Sequence, residues 1–180
     1  HFLAISTAAR AEPFAIAIRS LQREMIVRDP HWQDGAYTDA DWPETGMRLA
    51  RKLGMISYRS GTEWLERFGR QPQDRYNQRL FGMHFAIESY LENAARKFIR
   101  NFDPCCYLYL SRAMDHYDFA EGYPDLSAAF EPVQLESAKI IGVETDILWP
   151  PHQQREICRG LTAHGVECDP RLLPSVQGHD

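Results

Sequence analysis

No stretch of this chain approaches the roughly 20 consecutive apolar residues that a bilayer-spanning helix needs, so no segment reads as one. Positive charge is also short: 20 Lys and Arg stand against 25 Asp and Glu, a net charge of −5. Non-specific binding to nucleic acid requires a basic field facing the phosphates, so neither nucleic acid nor membrane is expected as a partner. Cysteine is sparse, at Cys105, Cys106, Cys158 and Cys168. The adjacent pair fits neither a metal knuckle nor an ordinary disulfide framework, and reduced thiols in a cytoplasmic protein are expected. HExxH and CxxC spacings, internal repeats, low-complexity tracts and signal-peptide features are all missing. So is any GxSxG-like context around Ser6, Ser60 or Ser111, which removes them as candidate nucleophiles.

What is present is ordinary for a folded domain. The chain has 180 residues, 44% of them hydrophobic and 25% charged, enough to bury a core. It begins without methionine, inside an apolar run, and ends directly after a candidate histidine, so an internal fragment of a longer protein is expected.

Residues 2–6 read as a short core strand. Pro13 occupies a first helical position, and Phe14, Ile18, Leu21 and Met25 follow with helical spacing as the expected buried face of a helix ending near Asp29. Residues 31–44 form a turn-rich loop. Thr45 is placed to cap a helix that Gly54 closes, and Thr62 another that Gly69 closes. Residues 70–80 read as a polar, mobile connection. Ile87, Leu91, Ala94, Phe98 and Phe102 mark one face of a helix from about Phe85 to Asn101. Asp103 and Pro104 open the next, with Tyr107, Leu110 and Met114 on one face, and Asp125 caps a short helix after a loop over 115–124.

The C-terminal stretch organises the rest. Ala138 to Val143 reads as a buried strand with Asp146 just past its end. Pro150 and Pro151 open an amphipathic run to about His164, Val166 to Leu173 is a second strand, and Gly178, His179 and Asp180 follow. The expected fold is α/β, with parallel strands, a helical insertion over residues 10–125 and a βαβ unit over 138–180. Ligands of open α/β sheets bind beyond the carboxyl ends of the strands, where Asp146 and His179 would sit. Taken singly, Asp146 is more often a loop or cap residue and His179 a surface residue. Together they match the last two members of the Ser…Asp…His order of hydrolase-type triads, an orienting acid and a general base.

Other constellations are weaker. His116 with Asp115 and Asp118, or His179 with Asp180, lack a recognised metal-ligand spacing, and no metal is expected. Arg48, Arg51, Lys52 and Arg59 read as a solvated helix face or as the source of one carboxylate-clamping arginine. Cys105 and Cys106, near a helix N-terminus, read as packing residues rather than reactive thiols.

Five segments carry a family resemblance: GMRLARKLGMISYRS (46–60), ERFGR (66–70), FAIESYLENAARKFIRNFDPCCYLYLSRAMD (85–115), ETDILWPP (144–151) and QGHD (177–180). They resemble the homoserine/serine O-acyltransferases of the α/β-hydrolase fold over nearly the whole chain, and sit closer to the serine O-succinyltransferase-like branch. The resemblance implies acyl transfer from acetyl-CoA or succinyl-CoA, as co-substrate, to the hydroxyl of L-homoserine or L-serine, a step feeding methionine or cysteine synthesis. It implies Asp146 as the triad acid, His179 as the base, Asp180 as a holder of the substrate amine and Arg51 as a substrate-binding arginine. It also implies a nucleophilic serine upstream of His1, an inactive fragment on its own, no bound cofactor and a homodimer through the lid helices. Two alternatives stay open: an esterase or acyltransferase acting on another alcohol, and a non-catalytic lid-bearing module.

Overall fold

The structure, a computed structural model, describes residues 1–73 and 80–179. In chain order the elements are β1 (Phe2–Ile5), α1 (Pro13–Val27), a 3-10 turn (Gln33–Gly35), α2 (Glu44–Tyr58), α3 (Gly61–Phe68), α4 (Ala86–Phe98), α5 (Pro104–His116), α6 (Leu126–Phe130), β2 (Ser137–Val143), α7 (Pro151–Ala163) and β3 (Glu167–Leu173). They fall into two compact units. One comprises His1–Ile16, Tyr58–Ser60 and Ala113–Asp180, the other Ala17–Ser57 and Gly61–Arg112.

The first unit is built on a three-stranded parallel sheet in the order β1-β2-β3. Ala4 pairs with Ile140, and Ile140 with Pro170, so all three strands end at the same rim. The central strand is the buried one, with Ala138, Ile140 and Val143 in the interior as its apolar run requires. Ile157, Cys158 and Leu161 of α7, together with Phe130 and Val166, close the core over it. The flanking strands are less covered. Phe2, Leu3 and Ile5 are each about half exposed, and Pro170 is tolerated in β3 because a strand at the edge of the described sheet need not donate at every position. Cys158 and Cys168 form a disulfide between α7 and β3, which corrects the expectation of reduced thiols for that pair. Their Cα atoms lie 5.5 Å apart, within ordinary bridging distance, and a sequence separation of 10 gave no framework pattern to read. Cys105 and Cys106 are free.

The second unit is helical, and its buried faces are more polar than the apolar spacing predicts. On α1 the interior positions are Ala15, Arg19, Gln22, Arg23 and Ile26, whereas Phe14 and Leu21 are about half exposed. Arg23 donates to Ser111 Oγ at 2.6 Å and Gln22 to the Ala50 carbonyl at 3.1 Å, so these two buried groups are matched by hydrogen bonds. On α4 the most buried residues are Glu92 and Ala95, and on α5 they are Pro104 and Ser111, with Leu110 and Met114 exposed. Ile26, Met47 and Ala50 form a small apolar centre against Phe98 and Tyr107. Gly46 permits this approach of α2 to α1, since a Cβ there would lie 2.5 Å from the Met25 carbonyl oxygen.

Helix ends follow local chemistry with instructive exceptions. Asp103 accepts from Cys106 N, Asp125 accepts from Ala128 N, and Gly69 closes α3 at a positive φ, each as its residue type predicts. Thr45 and Thr62, by contrast, lie inside their helices. The start of α2 is capped from a distance by the buried Asp29, whose Oδ2 accepts from Gly46 N at 2.6 Å. Burial alone would raise the Asp29 carboxyl, but the Gly46 and His31 N–H groups outweigh it and hold it below its ordinary value. Gly54 does not end α2, which runs on to Tyr58. The anticipated connection over 70–80 falls partly outside the described residues. At its described start, Pro72 bridges Phe85, and Gln73 N donates to the His84 carbonyl.

Candidate active site

The two strand ends of the βαβ unit meet at one rim. Beyond β2 the chain turns through Glu144 and Thr145 to Asp146, and Glu144 N donates to the Leu173 carbonyl at the end of β3. Thr145 joins the two loops. Its Oγ1 donates to the Ser175 carbonyl at 2.7 Å and accepts from Gly178 N at 3.1 Å. The histidine loop is anchored again where the chain leaves α2: His179 N donates to the Tyr58 carbonyl at 2.8 Å, and Ser60 Oγ donates to the Val176 carbonyl. Gly178 fits this narrow place because it takes φ +81°, and because a Cβ would lie 2.7 Å from the Tyr58 carbonyl oxygen.

These anchors bring Asp146 and His179 into contact, with Nδ1 and Oδ2 2.9 Å apart. The Asp146 side chain is wholly shielded from solvent, and its second oxygen accepts from Leu148 N at 2.8 Å and Trp149 N at 2.9 Å. An ionised carboxylate only accepts, so Nδ1 carries the hydrogen and Nε2 presents its lone pair. The imidazole keeps 26% of its surface exposed, and its ring centroid lies 5.8 Å from that of Tyr58. The arrangement fixes one tautomer and one ring orientation, the geometry of a general base backed by an orienting acid.

Of the other residues singled out by sequence, Arg51 lies on α2 in the helical unit with its guanidinium 4.5 Å above the Phe98 ring. Asp180 lies outside the described residues. Arg48 and Lys52 form ion pairs with Glu92 rather than a solvated face. Partial loss of hydration and the neighbouring Asp103 carboxylate push the thiol of the exposed Cys106 above its ordinary value, against the direction a helix N-terminus favours. Among the described residues no group of three or more His, Cys, Asp and Glu could hold a metal, and no helix is long and apolar enough to cross a membrane. Sequence reading missed Thr145, Tyr58 and Ser60 as supports of the pair. Thr145 stood within the ETDILWPP segment, whereas a backbone carbonyl such as that of Tyr58 leaves no trace in side-chain type.

A three-stranded parallel sheet with an acid–histidine pair at its carboxyl rim defines an α/β-hydrolase-type protein, and comparison with solved structures agrees. Homoserine O-acetyltransferase from Bacillus anthracis superposes with a TM-score of 0.89 at 18% identity, over 98% of this chain and 47% of that one. Esterase E22 superposes with a TM-score of 0.84 at 19% identity, over 98% of this chain and 48% of that one. At such identities the likeness establishes the α/β-hydrolase fold.

Sequence narrows the likeness further: the chain is similar to proteins named serine O-succinyltransferase, in line with the resemblance its motifs carry. It is 52% identical to serine O-succinyltransferase of Frateuria aurantia over 99% of this chain and 49% of that protein. The corresponding protein of Xanthomonas campestris is 50% identical over 98% of this chain and 50% of its own length. That of Stenotrophomonas maltophilia is 52% identical over 98% and 48%. The chain thus spans about half the length of the curated relatives it matches. No family model matches it.

Proposed function

We propose that the protein of which this chain forms part transfers an acyl group from acyl-CoA to the side-chain hydroxyl of an amino acid, with succinyl-CoA and L-serine as the preferred pair. The observation that carries this reading is the 2.9 Å contact between the shielded Asp146 and His179, in a chain half identical to serine O-succinyltransferases. His179 Nε2 takes the proton of a serine hydroxyl supplied by the half of the protein beyond this chain. The freed oxygen attacks the thioester carbon, the C–S bond breaks, and His179 returns the proton to the departing CoA thiolate. The acceptor hydroxyl then yields its proton to the same nitrogen, attacks the acyl-enzyme and releases the serine, which recovers the proton. Asp146 holds the ring throughout and stabilises the imidazolium, a role worth roughly 10⁴-fold in the serine-protease template.

Arg51 is assigned to the substrate carboxylate and Asp180 to its amine, groups of matching charge. The helical insertion is assigned the role of a lid, and the exposed Tyr109 and Leu110 of α5 support its use as a homodimer face. The reaction belongs to cysteine or methionine biosynthesis in the cytoplasm. The test is CoA release by the full-length protein with succinyl-CoA or acetyl-CoA, each supplied with L-serine, L-homoserine or no acceptor. Release that requires an amino acid, fastest with succinyl-CoA and serine, is expected. Release unchanged without an acceptor would identify an esterase and overturn the proposal.

A further inference from the structure

We infer that the pocket between the start of α2 and the end of α4 is a binding site for phosphate groups. It has a volume of about 480 Å³ and is lined by Glu44, Thr45, Arg48, Arg96, Ile99 and Arg100. In a chain of net charge −5, four cations converge here (Arg48, Lys52, Arg96 and Arg100) on two carboxylates, Glu92 and Glu44.

Glu92 orders this cluster without neutralising it. Its carboxylate is buried and accepts from Arg48 Nη1 at 2.8 and 3.0 Å and from Arg96 Nε at 2.8 Å, with Lys52 Nζ as a third partner. One negative charge thereby holds three positive ones in place, two of them on the pocket wall. A buried carboxylate needs its lone pairs satisfied, and Arg48 reaches both oxygens of Glu92 through its single Nη1 while Arg96 Nε adds a donor to Oε1. The further cations exceed what packing of Glu92 requires.

Arg100 is a second, independent sign. It lies just past the C-cap of α4 with φ +70°, a left-handed conformation for which glycine is the unstrained choice. Its guanidinium donates to Glu44 Oε1 at 3.0 Å and to the Asp39 carbonyl at 3.0 Å, and sits 5.7 Å from the Trp42 ring. The chain thus accepts backbone strain to place a third arginine on this wall. Planar guanidinium donors match pairs of phosphate oxygens, and an excess of two positive charges suits a phosphate monoester dianion. The volume leaves room for more than the phosphate itself.

Two sources share this chemistry: the phosphorylated head of coenzyme A and a free inorganic phosphate. Only assignment to the coenzyme rests on the acyl-transfer reading. The test is calorimetric titration of the full-length protein and of its Arg96→Gln/Arg100→Gln variant with inorganic pyrophosphate and, separately, with CoA. These side chains are 70% and 50% exposed, so folding should persist, and circular dichroism checks it. Pyrophosphate affinity is expected to fall at least fivefold. A parallel fall for CoA assigns the site to the coenzyme, and an unchanged CoA affinity assigns it to free phosphate; both sustain a phosphate site. A fall of less than fivefold for both probes, or no measurable pyrophosphate binding to the unaltered protein, overturns it. Arg100→Gly separates binding from packing. It should weaken pyrophosphate at least threefold while the melting temperature holds or rises, and a lower melting temperature with unchanged binding also overturns the inference. Absence of acyl transfer with pyrophosphate binding intact would remove the function proposed above and leave this site standing.

Discussion

The βαβ unit and the helical unit obey hydrophobic patterning to different degrees. In β2 and α7 the apolar positions are buried, with Ile140 completely enclosed, although α7 buries Gln153 and Gln154 as well. In α1 and α5 much of the apolar spacing faces solvent, while Arg19, Gln22, Arg23 and Ser111, and Glu92 of α4, are buried. A sheet offers its central strand no polar alternative, because the ladder already consumes the backbone groups. Neighbouring helices can bury a polar side chain wherever an acceptor or counter-charge stands opposite, as Ser111 does for Arg23. Periodicity therefore locates a helix more surely than it locates the helix's inner face.

The comparison can be broken most decisively at the rim of the sheet. On the function proposed above, His179→Ala in the full-length protein is expected to lower kcat/KM for acyl transfer by about 10³- to 10⁴-fold or more, and Asp146→Asn by a similar factor. Steady-state CoA release measures both, and a loss under tenfold would mean that the pair is structural. Next in size, Ile140→Ala should cost about 2–5 kcal/mol in denaturant unfolding, because it empties a fully buried position of the sheet core. Arg23→Met in the helical unit should cost about 1–3 kcal/mol by stranding the buried Ser111 hydroxyl. If this methionine instead stabilised the protein, the polar interior would be incidental to packing.

Glu92 gives a test in pH. Burial would raise its carboxyl, but Lys52, Arg96 and Arg48 hold it down to about 2. A depressed acid contributes stability above its ordinary value of 4.5 and loses that contribution as pH falls toward about 2. Glu92→Gln should therefore lower the melting temperature at neutral pH, with the gap to the unaltered protein closing across that acid window. A gap independent of pH would show that the cluster acts by shape rather than charge. The smallest effect is expected from Leu21→Ser on the exposed stripe of α1, within about 0.5 kcal/mol, although the same exchange in a buried stripe would be severe.

The legible parts were those governed by local rules. Pro13, Asp103, Asp125 and Gly69 marked helix ends through backbone chemistry that needs no tertiary partner. The order of strand, acid, helix, strand and histidine placed Asp146 and His179 at one rim, because parallel strands joined by a crossover end on the same side. What escaped depended on distant partners. Asp29 caps α2 from 17 residues away, Cys158 meets Cys168 only once α7 lies on β3, and the Tyr58 carbonyl steadies His179 across most of the chain. The inner faces of α1 and α5 escaped for the same reason.

The closed setting of Asp146 constrains the order of events at the rim. With one imidazole nitrogen committed to a carboxylate that water does not reach, every hydrogen ion the ring handles must arrive and depart by the opposite nitrogen. Such a single doorway serves one caller at a time. In the reaction proposed above, the catalytic serine and the acceptor hydroxyl would therefore give their protons to the same nitrogen, one after the other.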